Sequence, residues 1–531
     1  MADPNPATTL NPPPGSSLIE TYLAAGRLRP AATMMVWTDT GLHQTTLSET
    51  LAQGAALAAG LRTLGVGPGD VIATQLPQSL ELAATYVAAA YLDAVVLSIV
   101  PAFGAAELAY ILRESAARVL ITRPAYRGVD SRQRVLDCGD LPALAHHIVT
   151  GTAASSGTLA YADLLATRPA ARVPAATRGP EAVSFLCYTS GTTSAPKGAM
   201  HNFRSMYAEI IGIERLMGKT AEGVTMSPWP AGHVAGALMV LRFLMCGRTL
   251  VLMDHWDAKA AADLMEKHSA SFGSGTPFHL SGLLDAADAA GHALANLTSF
   301  QSGAAPVPPS LVARCNDRGI ALFRSYGSTE HITSTYGAAS DPLEKRLHTE
   351  GRVVPGAEVR VCDDDGNFLP QGVDGEIVSR GLDLFLGYTR EELNREAFLP
   401  GGWYRSGDIG HLDAEGYLVI TDRKKDIIIR AGENISSREI EDHLHAHPAV
   451  AEVAAVAAPD ERLGEIVCVF VVLRPGTGID IPEIERWFRE RGLSRRKVPE
   501  RLEIVAALPR NTTGKVLKQE LRKVLREGVQ C

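Results

Sequence analysis

The sequence is poor in cysteine, and its cysteines are not arranged in pairs. Seven are scattered over 531 residues, at positions 138, 187, 246, 315, 362, 468 and 531, and no two of them form a CxxC spacing. The odd number argues against a disulfide framework, and the lack of CxxC pairs argues against a zinc site. The cysteine pattern therefore indicates a reducing compartment.

The sequence also lacks a secretion signal and a membrane-spanning run. Residues 1–17 contain no basic stretch followed by an apolar one, so we predict a disordered tail there. The most apolar window, residues 87–100, contains Asp93 and is too short to cross a bilayer. We expect a helix followed by a buried strand in this window, and a cytoplasmic protein without a transmembrane segment.

Positive charge is in short supply as well. The formal net charge is -8 and no basic arm is present, which disfavours nucleic acid as a partner. A hydrophobic content of 46% with 21% charged residues is typical of a globular protein. A chain of 531 residues is too long for one compact core, so we expect a large domain with a smaller one. Association into a homodimer is compatible with this composition.

The first part of the chain alternates between helical and strand-like patterns. Apolar residues have helical spacing over 48–64, strand-like residues follow over 71–76, and the alternation continues to residue 122. It resumes after residue 200 and runs to a strand-like segment at 321–326. This pattern is typical of βαβ units and predicts an α/β fold with two wound sheets. Residues 128–180 show little periodicity, and we expect an irregular connection there.

The last third of the sequence changes character. Residues 352–420 have turn residues between alternating segments, which predicts a small antiparallel β subdomain. The charged run at 422–426 interrupts this pattern, and an α+β pattern follows it. We therefore predict an N-terminal domain over residues 18–421, a hinge over 422–427 and a smaller C-terminal domain over 428–531.

One loop in the N-terminal part has the chemistry of an anion site. Residues 188–200 read YTSGTTSAPKGAM, directly after a β-branched and aromatic run. Glycines permit close backbone approach, hydroxyl groups donate hydrogen bonds, and Lys197 supplies a positive charge. The combination predicts a loop that binds a polyphosphate.

Seven motifs, taken in order, resemble those of the adenylate-forming superfamily, which contains acyl- and aryl-CoA synthetases. The resemblance covers nearly the whole chain. The motifs are YTSGTTSAPKGAM at 188–200, SPWPAGHVAG at 227–236, SYGSTE at 325–330, GEIVSRG at 375–381, YRSGDIG at 404–410, TDRKKDIIIRAGENIS at 421–436 and PRNTTGKVLK at 509–518.

The resemblance implies a two-step reaction by a fold with a mobile C-terminal domain. A small carboxylic acid is activated by ATP to an acyl-adenylate with loss of pyrophosphate, and coenzyme A then forms the thioester. Because a carboxylate is a weak nucleophile, the enzyme must place it against the α-phosphorus and neutralise phosphate charge. The expected co-substrates are ATP and coenzyme A, and the expected metal is Mg²⁺.

The resemblance also implies roles for particular residues. Lys515, Thr189 and Glu330 are expected to act in catalysis, with Lys515 reaching the carboxylate and α-phosphate and Glu330 binding Mg²⁺. Tyr326 is expected to stack on adenine and Asp408 to bind the ribose hydroxyls. The full expected nucleotide set is Thr189, Ser190, Gly191, Thr192, Thr193, Lys197, Gly303, Ala304, Ala305, Tyr326, Gly327, Ser328, Thr329, Asp408, Arg423 and Lys515.

After adenylation, the resemblance implies that the small domain rotates about Lys425 and withdraws Lys515. The loop then expected beside the acyl-adenylate, on the coenzyme A side, contains Arg430, Gly432, Glu433 and Asn434. The acyl pocket is expected to contain Trp229, His233, Val234, Gly236 and Ser302. His233 is expected to position the acid, because an ionised carboxylate needs no general base. The chain departs from the family pattern at Asp422, where glycine is frequent, and at Ser328, where methionine is common.

Other functions stay open at this point. The adenylate could pass to a carrier-protein thiol, although no carrier domain follows Lys515 in the sequence. A luciferase-like oxidoreductase and an inactive nucleotide-binding module are further alternatives. Because the segments around PAGHVAG and Ser302 are apolar, we expect a fatty, alicyclic or aromatic acid with an uncharged tail.

Overall fold

The structure is a computed structural model that describes residues 10–151, 157–167, 177–189, 196–218 and 223–527. Helices in these ranges surround four main sheets. They are α1 (Leu18–Leu28), α2 (Leu47–Thr63), α3 (Leu80–Leu92), α4 (Ala105–Glu114), α5 (Ser131–Asp137), α6 (Tyr161–Leu165), α7 (Phe203–Met217), α8 (Val234–Cys246), α9 (Ala258–Lys267), α10 (Pro277–Ala290), α11 (Pro309–Asp317), α12 (Leu343–His348), α13 (Glu391–Ala397), α14 (Ser437–His445), α15 (Ile481–Glu490) and α16 (Lys518–Glu527).

The largest sheet has nine strands in the order β18-β17-β16-β15-β14-β12-β13-β1-β2. The six strands from β16 to β1 in this order pair in parallel, and antiparallel strands close both edges. Their bounds are β1 (Thr33–Thr38), β2 (Gly41–Thr46), β12 (Val224–Ser227), β13 (Thr249–Met253), β14 (Phe272–Gly275), β15 (Ser299–Ser302), β16 (Ala321–Tyr326), β17 (Thr335–Tyr336) and β18 (Arg352–Val353).

A second sheet of eight strands has the order β21-β11-β10-β4-β3-β5-β8-β9. It is parallel from β10 to β9, whereas β11 pairs antiparallel with both β10 and β21. The strands are β3 (Val71–Gln75), β4 (Val95–Ser98), β5 (Val119–Thr122), β8 (His146–Val149), β9 (Leu159–Ala160), β10 (Val183–Thr189), β11 (Lys197–Asn202) and β21 (Gly387–Tyr388), and a separate two-stranded ribbon contains β6 (Ala125–Tyr126) and β7 (Val129–Asp130).

Two smaller sheets follow along the chain. The first is antiparallel and contains β19 (Ala357–Cys362), β20 (Gly375–Gly381), β22 (Phe398–Leu399), β23 (Trp403–Leu412) and β24 (Leu418–Arg423). The second belongs to the C-terminal part and contains β25 (Ile428–Arg430), β26 (Glu433–Ile435), β27 (Val450–Asp460), β28 (Gly464–Leu473) and β29 (Arg501–Ile504). The predicted fold class, with two wound sheets, a β subdomain and a smaller α+β part, is confirmed.

Packed helices between the two large sheets form the main core. Helix α3 is buried over most of its length, and Ser79 caps its first turn by accepting a hydrogen bond from the N–H of Leu82. Helix α8 is also almost entirely apolar and ends at Gly247, whose positive φ of 63° suits a glycine. Helices that are apolar on every side belong in the centre of a large domain. Here α3 and α8 share one apolar cluster with residues of both large sheets.

Some elements differ from the sequence-based expectation. Residues 128–180 were expected to be irregular, yet β8 and β9 extend the eight-stranded sheet there. The pair formed by β14 and α10 was not expected either. Residues 1–9 of the predicted tail lie outside the described residues, and Leu10, which follows them, is only 2% exposed. Among the residues described, no helix is both long enough and apolar enough to cross a membrane.

Candidate active site

A large cavity lies where the parallel strands of the two wound sheets end, and the C-terminal part covers it. Its volume is about 1880 Å³. The last residues of β10 and residues just after β12, β15 and β16 line it, which is the usual position of ligands in wound α/β sheets. Lys515 and its neighbours line the same cavity from the C-terminal side. The fold therefore brings motifs separated by more than 300 positions in the sequence together in one cavity.

The predicted phosphate loop is only partly described. Ser190, Gly191, Thr192 and Thr193 lie outside the described residues. The two ends of the loop are adjacent because Thr189 of β10 pairs with Lys197 of β11, and both residues line the cavity. The Lys197 ammonium nitrogen lies 5.3 Å from the centre of the Tyr388 ring, a cation–π distance.

Glu330 is a buried carboxylate in the cavity. It is 7% exposed and lines the cavity, and its Oε1 accepts a hydrogen bond of 2.6 Å from the hydroxyl of Tyr388. No hydrogen bond joins its Oε2 to another of the described residues. Tyr388 thus contacts Lys197 with its ring and Glu330 with its hydroxyl group. This contact couples the end of the phosphate loop to the predicted metal ligand.

Ser328 shapes the turn that presents Glu330. Its Oγ accepts hydrogen bonds of 3.1 Å from the backbone N–H groups of Glu330 and His331. A methionine at this position could not accept them in the same way, so the departure from the family pattern has a local structural role. Position 327 requires a glycine because the backbone of Ile332 lies very close to it. A Cβ at Gly327 would lie 2.0 Å from the backbone oxygen of Ile332.

Two buried histidines form hydrogen bonds that stabilise the turn containing Glu330. His201 forms a hydrogen bond of 2.7 Å with the backbone oxygen of Thr329, and burial lowers the pKa of this histidine to about 4. His331 is 1% exposed and bonds both Ser379, at 2.7 Å, and Asp383, at 3.0 Å. These contacts fix the backbone on both sides of Glu330.

The predicted nucleotide residues converge around Asp408. Its two carboxylate oxygens accept hydrogen bonds from the Tyr326 hydroxyl, at 2.8 Å, and from Arg423 Nε, at 2.5 Å. Gly303, Ala304 and Ala305 line the cavity with them. Ala304 has a positive φ of 63°, which is uncommon for a residue other than glycine, and such conformations are frequent at functional sites.

Three of the five predicted acyl-pocket residues line the cavity, namely Trp229, His233 and Val234. The other two do not. Gly236 faces the preceding turn, where a Cβ would lie 2.0 Å from the oxygen of Pro230, and Ser302 is fully buried inside β15. The two positions are thus packing positions in this structure, and their assignment to the acyl pocket stays a prediction.

His233 is held in the neutral form by its surroundings. Its Nδ1 accepts a hydrogen bond from the N–H of Ala235 at 3.2 Å, and its ring stacks on Trp229 with 5.5 Å between the ring centres. Burial, and after it the charge of Lys515, lowers the pKa of His233 to about 4. The neutral ring therefore carries its proton on Nε2 and can donate one hydrogen bond into the pocket.

Lys515 is one of the basic residues that the C-terminal part contributes to the cavity. No hydrogen bond or ion pair joins its Nζ to another of the described residues. Burial, followed by the charge of Arg423, lowers the pKa of the Lys515 ammonium to about 7. The preceding Gly514 packs on Phe278 of α10, where a Cβ would come within 2.8 Å of the ring, and Arg510 lies over the same ring at 5.4 Å.

The predicted hinge is anchored on its N-terminal side. Asp422 is 5% exposed and accepts hydrogen bonds from the N–H of Ser437, at 2.8 Å, and from its hydroxyl group, at 3.3 Å. Asp422, where the chain departs from the family pattern, thus connects the end of β24 to the start of α14 by hydrogen bonds. Lys425 lines the cavity. Arg430, Gly432, Glu433 and Asn434 do not line it, and they form the exposed β25–β26 hairpin.

Two features of the site were missed from the sequence. Tyr388 lies in a two-residue strand, and only the pairing of β11 with β21 brings it to Glu330. The segments around PAGHVAG and Ser302 are apolar in the sequence, yet the cavity also contains Glu209, Glu214, Arg242 and Arg248. Arg242, which stands inside the apolar run LMVLRFLM, was the sequence signal for charged groups in the cavity.

Family models match both parts of the chain. The model of the AMP-binding enzyme family matches residues 24–389, and the model of the AMP-binding enzyme C-terminal domain matches residues 439–515. The chain belongs to the AMP-binding enzyme family. The resemblance inferred from the seven motifs is thereby confirmed, and the chain is an AMP-forming acid–thiol ligase.

Relatives with assigned activities align with most of this chain, and so do proteins with solved structures. Medium-chain fatty-acid–CoA ligase of Escherichia coli K12 is 35% identical over 476 residues, which are 88% of this chain and 84% of that protein. The 3-[(3aS,4S,7aS)-7a-methyl-1,5-dioxo-octahydro-1H-inden-4-yl]propanoyl:CoA ligase of Rhodococcus jostii RHA1 is 32% identical over 88% of this chain and 91% of that protein. The crystal structure of ATP-bound MatB from Rhodopseudomonas palustris has a TM-score of 0.84 at 26% identity, with 96% of this chain and 99% of that chain covered.

Proposed function

We propose that the chain activates a fatty, alicyclic or aromatic acid with ATP and transfers the acyl group to coenzyme A. The observation that carries this proposal is that Lys515, His233 and Asp408 line one cavity. Asp408 marks a nucleotide pocket, His233 and Trp229 mark the mouth of an acyl pocket, and the Lys515 ammonium lies close enough to His233 to lower its pKa. An acid and the α-phosphate of ATP would meet beside Lys515.

In the first half-reaction, an oxygen of the carboxylate would attack the α-phosphorus of ATP, and the bond to the β-phosphate would break. The Lys515 ammonium would lie between the carboxylate and the α-phosphate and would reduce their mutual repulsion. His233 would donate a hydrogen bond from Nε2 and orient the acid without removing a proton. Lys197 and the loop residues at 189–193 would hold the departing pyrophosphate.

Asp408 and Arg423 would hold the ribose side of the nucleotide. Tyr326, which donates to Asp408, would present its ring to adenine with Gly303, Ala304 and Ala305. The hydrogen bonds from Tyr326 and Arg423 fix the carboxylate of Asp408, and an orientation set in advance avoids reorganisation when ATP binds.

The residues beside the phosphate loop also fit Mg²⁺. The buried Glu330 carboxylate has one oxygen oriented by Tyr388, and oxygen ligands beside phosphates are those that Mg²⁺ prefers. The metal ion, when bound, would neutralise charge on the phosphate oxygens. Among the residues described, no group of three or more His, Cys, Asp or Glu side chains could hold a metal ion.

In the second half-reaction, the coenzyme A thiolate would attack the carbonyl carbon of the acyl-adenylate, and AMP would leave. The β25–β26 hairpin would replace Lys515 at the cavity after rotation about Lys425. The hairpin lies outside the cavity in this structure, so the arrangement supports the adenylation step.

The experiment that tests this function separates the two half-reactions. Lys515→Ala should reduce acid-dependent pyrophosphate release by at least about a hundredfold, because a charge-assisted contact in a shielded site is removed. Thioester formation from supplied acyl-AMP should stay within about threefold of the wild type, as measured by chromatography of the acyl-CoA product. Lys523→Ala, at a described position that does not line the cavity, serves as the control.

Equal losses in both half-reactions would contradict the assigned role of Lys515. Absence of pyrophosphate release with every acid in the wild type would contradict the function itself. Product formation with a carrier-protein thiol but not with coenzyme A would favour the carrier alternative, and light emission without coenzyme A would favour the oxidoreductase.

The substrate class and the cellular setting belong to the same proposal. Similarity to ligases for a medium-chain fatty acid and for a bicyclic propanoic acid supports an acid with a bulky or extended carbon skeleton. ATP and coenzyme A as co-substrates, with no disulfide among the six described cysteines, support a cytoplasmic enzyme. Light scattering would distinguish a monomer from a homodimer.

A further inference from the structure

One face of helix α8 forms a wall of the acyl side of the cavity. The residues on it that line the cavity are Ala235, Leu238, Met239 and Arg242. Their spacing of three and four residues places them on a single helix face. This face begins beside His233, at the mouth of the pocket, and its first three members are apolar. The fourth member is a charged arginine.

Helix α7 forms a second wall of the cavity, on which acidic and apolar residues alternate. Glu209, Ile213 and Met217 have i, i+4, i+8 spacing, and all three line the cavity with Glu214. On α8 the charged residue follows the apolar ones, and it lies against both acids of α7. An acyl chain that runs along α8 from His233 would meet those groups after the apolar segment.

The charged groups at this end form one connected network. Arg242 is 7% exposed and contacts Glu209 and Glu214 at 3.2 Å each. Glu214 in turn pairs with Arg248 at 2.7 Å. The network therefore contains two cations and two anions, and burial raises the pKa of Glu209 to about 7. Arg242 and Glu214 are the two inner members of this chain of ion pairs, and Arg242 contacts both acids.

Such a network is unfavourable as the end wall of a purely apolar pocket. Burying an ion pair has a desolvation penalty, and similar apolar residues are often as stable or more stable. An apolar tail that covered these groups would also displace water from them without replacing its hydrogen bonds. A tail with its own hydrogen-bonding group would satisfy them, and a site of this kind rejects analogues that lack the group.

The distance along the helix limits where that group lies in the acid. Nine residues separate His233 from Arg242, which corresponds to a rise of about 13.5 Å. Because helical side chains lean toward the N-terminus, the guanidinium group lies nearer to the pocket mouth than its Cα atom, on the order of 10 Å from it. A carbon skeleton of one ring with a short chain, or a medium-length chain, covers this distance.

We propose that Arg242, supported by Glu209 and Glu214, binds a hydrogen-bond acceptor at the distal end of the acyl group, so that the preferred substrates are oxo- or hydroxy-substituted acids. The inference rests on the acyl-CoA synthetase function proposed above and specifies its substrate class. Leu238 and Met239 contact the apolar middle of the tail, and Arg242 is a specificity-determining residue.

The test compares two acids of nearly equal size. One is cyclohexylbutanoic acid, and the other has a ketone at the ring carbon farthest from the chain. In the wild type, kcat/KM for thioester formation should be about tenfold to a hundredfold higher for the oxo acid, as expected for a hydrogen bond to a charged group. The readout is the ratio of the two values, which does not depend on the overall activity of a preparation.

A double variant that removes one acid and one base together avoids leaving an unpaired buried charge, so that the protein can still fold. Glu209→Met with Arg242→Met removes one anion and one cation and leaves the Glu214–Arg248 pair in place. This variant should lower the oxo-to-plain ratio at least about tenfold and bring it to one or below. Arg242→Lys, which keeps the charge but loses the bidentate geometry, should give an intermediate ratio.

The matched control removes an ion pair that does not line the cavity. Arg123→Met with Asp254→Leu breaks a pair at 2.9 Å in the same large part of the chain and should leave the ratio unchanged. A wild-type ratio of one or less overturns the inference whatever the variants do, and so does an unchanged ratio in a folded double variant. If no acid at all gives a thioester, the proposed function fails, and that result is distinct from a failure of the acid preference.

Discussion

At the scale of single residues, the site combines groups that the motifs reveal with groups that only the fold brings in. Glu330, Asp408 and Lys515 could be predicted because each stands in a recognisable motif. Tyr388 could not, because it follows a glycine in a two-residue strand and has no chemical motif around it. Its role depends on the pairing of β11 with β21, which places its hydroxyl group 2.6 Å from Glu330. Sequence spacing alone contains no information on that pairing.

Tyr388→Phe should weaken the predicted metal site while the contact with Lys197 is kept. The phenyl ring preserves the cation–π partner, whereas Glu330 loses its hydrogen bond and becomes free to turn away. We expect roughly a tenfold lower rate of pyrophosphate release at limiting Mg²⁺, with partial recovery at high Mg²⁺. The measurement is a Mg²⁺ titration of the adenylation rate.

Tyr417→Phe is the matched control for this change. The Tyr417 side chain is also buried, and its hydroxyl group donates to Asp341 at 2.9 Å outside the cavity. This variant should show the Mg²⁺ dependence of the wild type. The same Mg²⁺ dependence in Tyr388→Phe and the wild type would show that Tyr388 does not support the metal ligand.

At the scale of secondary structure elements, the wound pattern was predictable and the glycine-rich strand was not. Strand β14 reads FGSG and has few of the β-branched residues by which a strand is recognised. Its glycines are explained by packing, since a Cβ at Gly273 would lie 2.3 Å from the ring of Phe300 on the neighbouring strand. A long-range contact thus selects residues that weaken the local signal.

Gly232, in the loop before α8, provides a prediction at this scale. A Cβ there would lie 2.2 Å from the backbone nitrogen of Val100, and a backbone neighbour cannot rotate away. Gly232→Ala should therefore displace the loop that carries Trp229 and His233. We expect a loss of about 1–3 kcal/mol in the free energy of unfolding, together with a raised KM for the acid. Denaturant unfolding and steady-state kinetics would measure the two effects.

Gly67→Ala is the appropriate comparison for this variant. No heavy atom lies within 4 Å of a Cβ at Gly67, and neither glycine has a positive φ. The backbone effect of the substitution is thus similar at both positions, and only Gly232 adds a steric clash. Equal losses of unfolding free energy in the two variants would contradict the prediction, because they would show that the clash at Gly232 has no energetic cost.

At the scale of the whole molecule, the arrangement of the two parts could not be read from the sequence. The motifs predict that Lys515 reaches the cavity at some stage, but not which arrangement the chain adopts. Here Arg438 of α14 pairs with Glu350 at 3.3 Å, and Gly514 packs on Phe278. These contacts between the C-terminal part and the large part place Lys515 at the acid and nucleotide side of the cavity.

ATP binding should take up protons as a consequence of this arrangement. Without nucleotide, the pKa of Lys515 is about 7, so the side chain is mostly neutral at about pH 8. The triphosphate brings negative charge into the cavity and raises that pKa, so the complex binds up to about one more proton than the free protein. At about pH 6 Lys515 is already protonated, and the uptake should be small.

Calorimetry in buffers with different ionisation enthalpies measures this uptake. Lys515→Met should abolish most of the uptake at about pH 8, and the affinity of the wild type for ATP should fall as the pH rises above 7. An uptake of the same size in Lys515→Met would assign the proton to another group.

The position of the β25–β26 hairpin has a kinetic consequence. Under the proposed rotation, the hairpin would enter the cavity only after Lys515 has left it, because both belong to the same C-terminal part. We therefore expect coenzyme A to react only after the adenylate has formed. Raising the concentration of coenzyme A cannot shorten the time needed to form the adenylate.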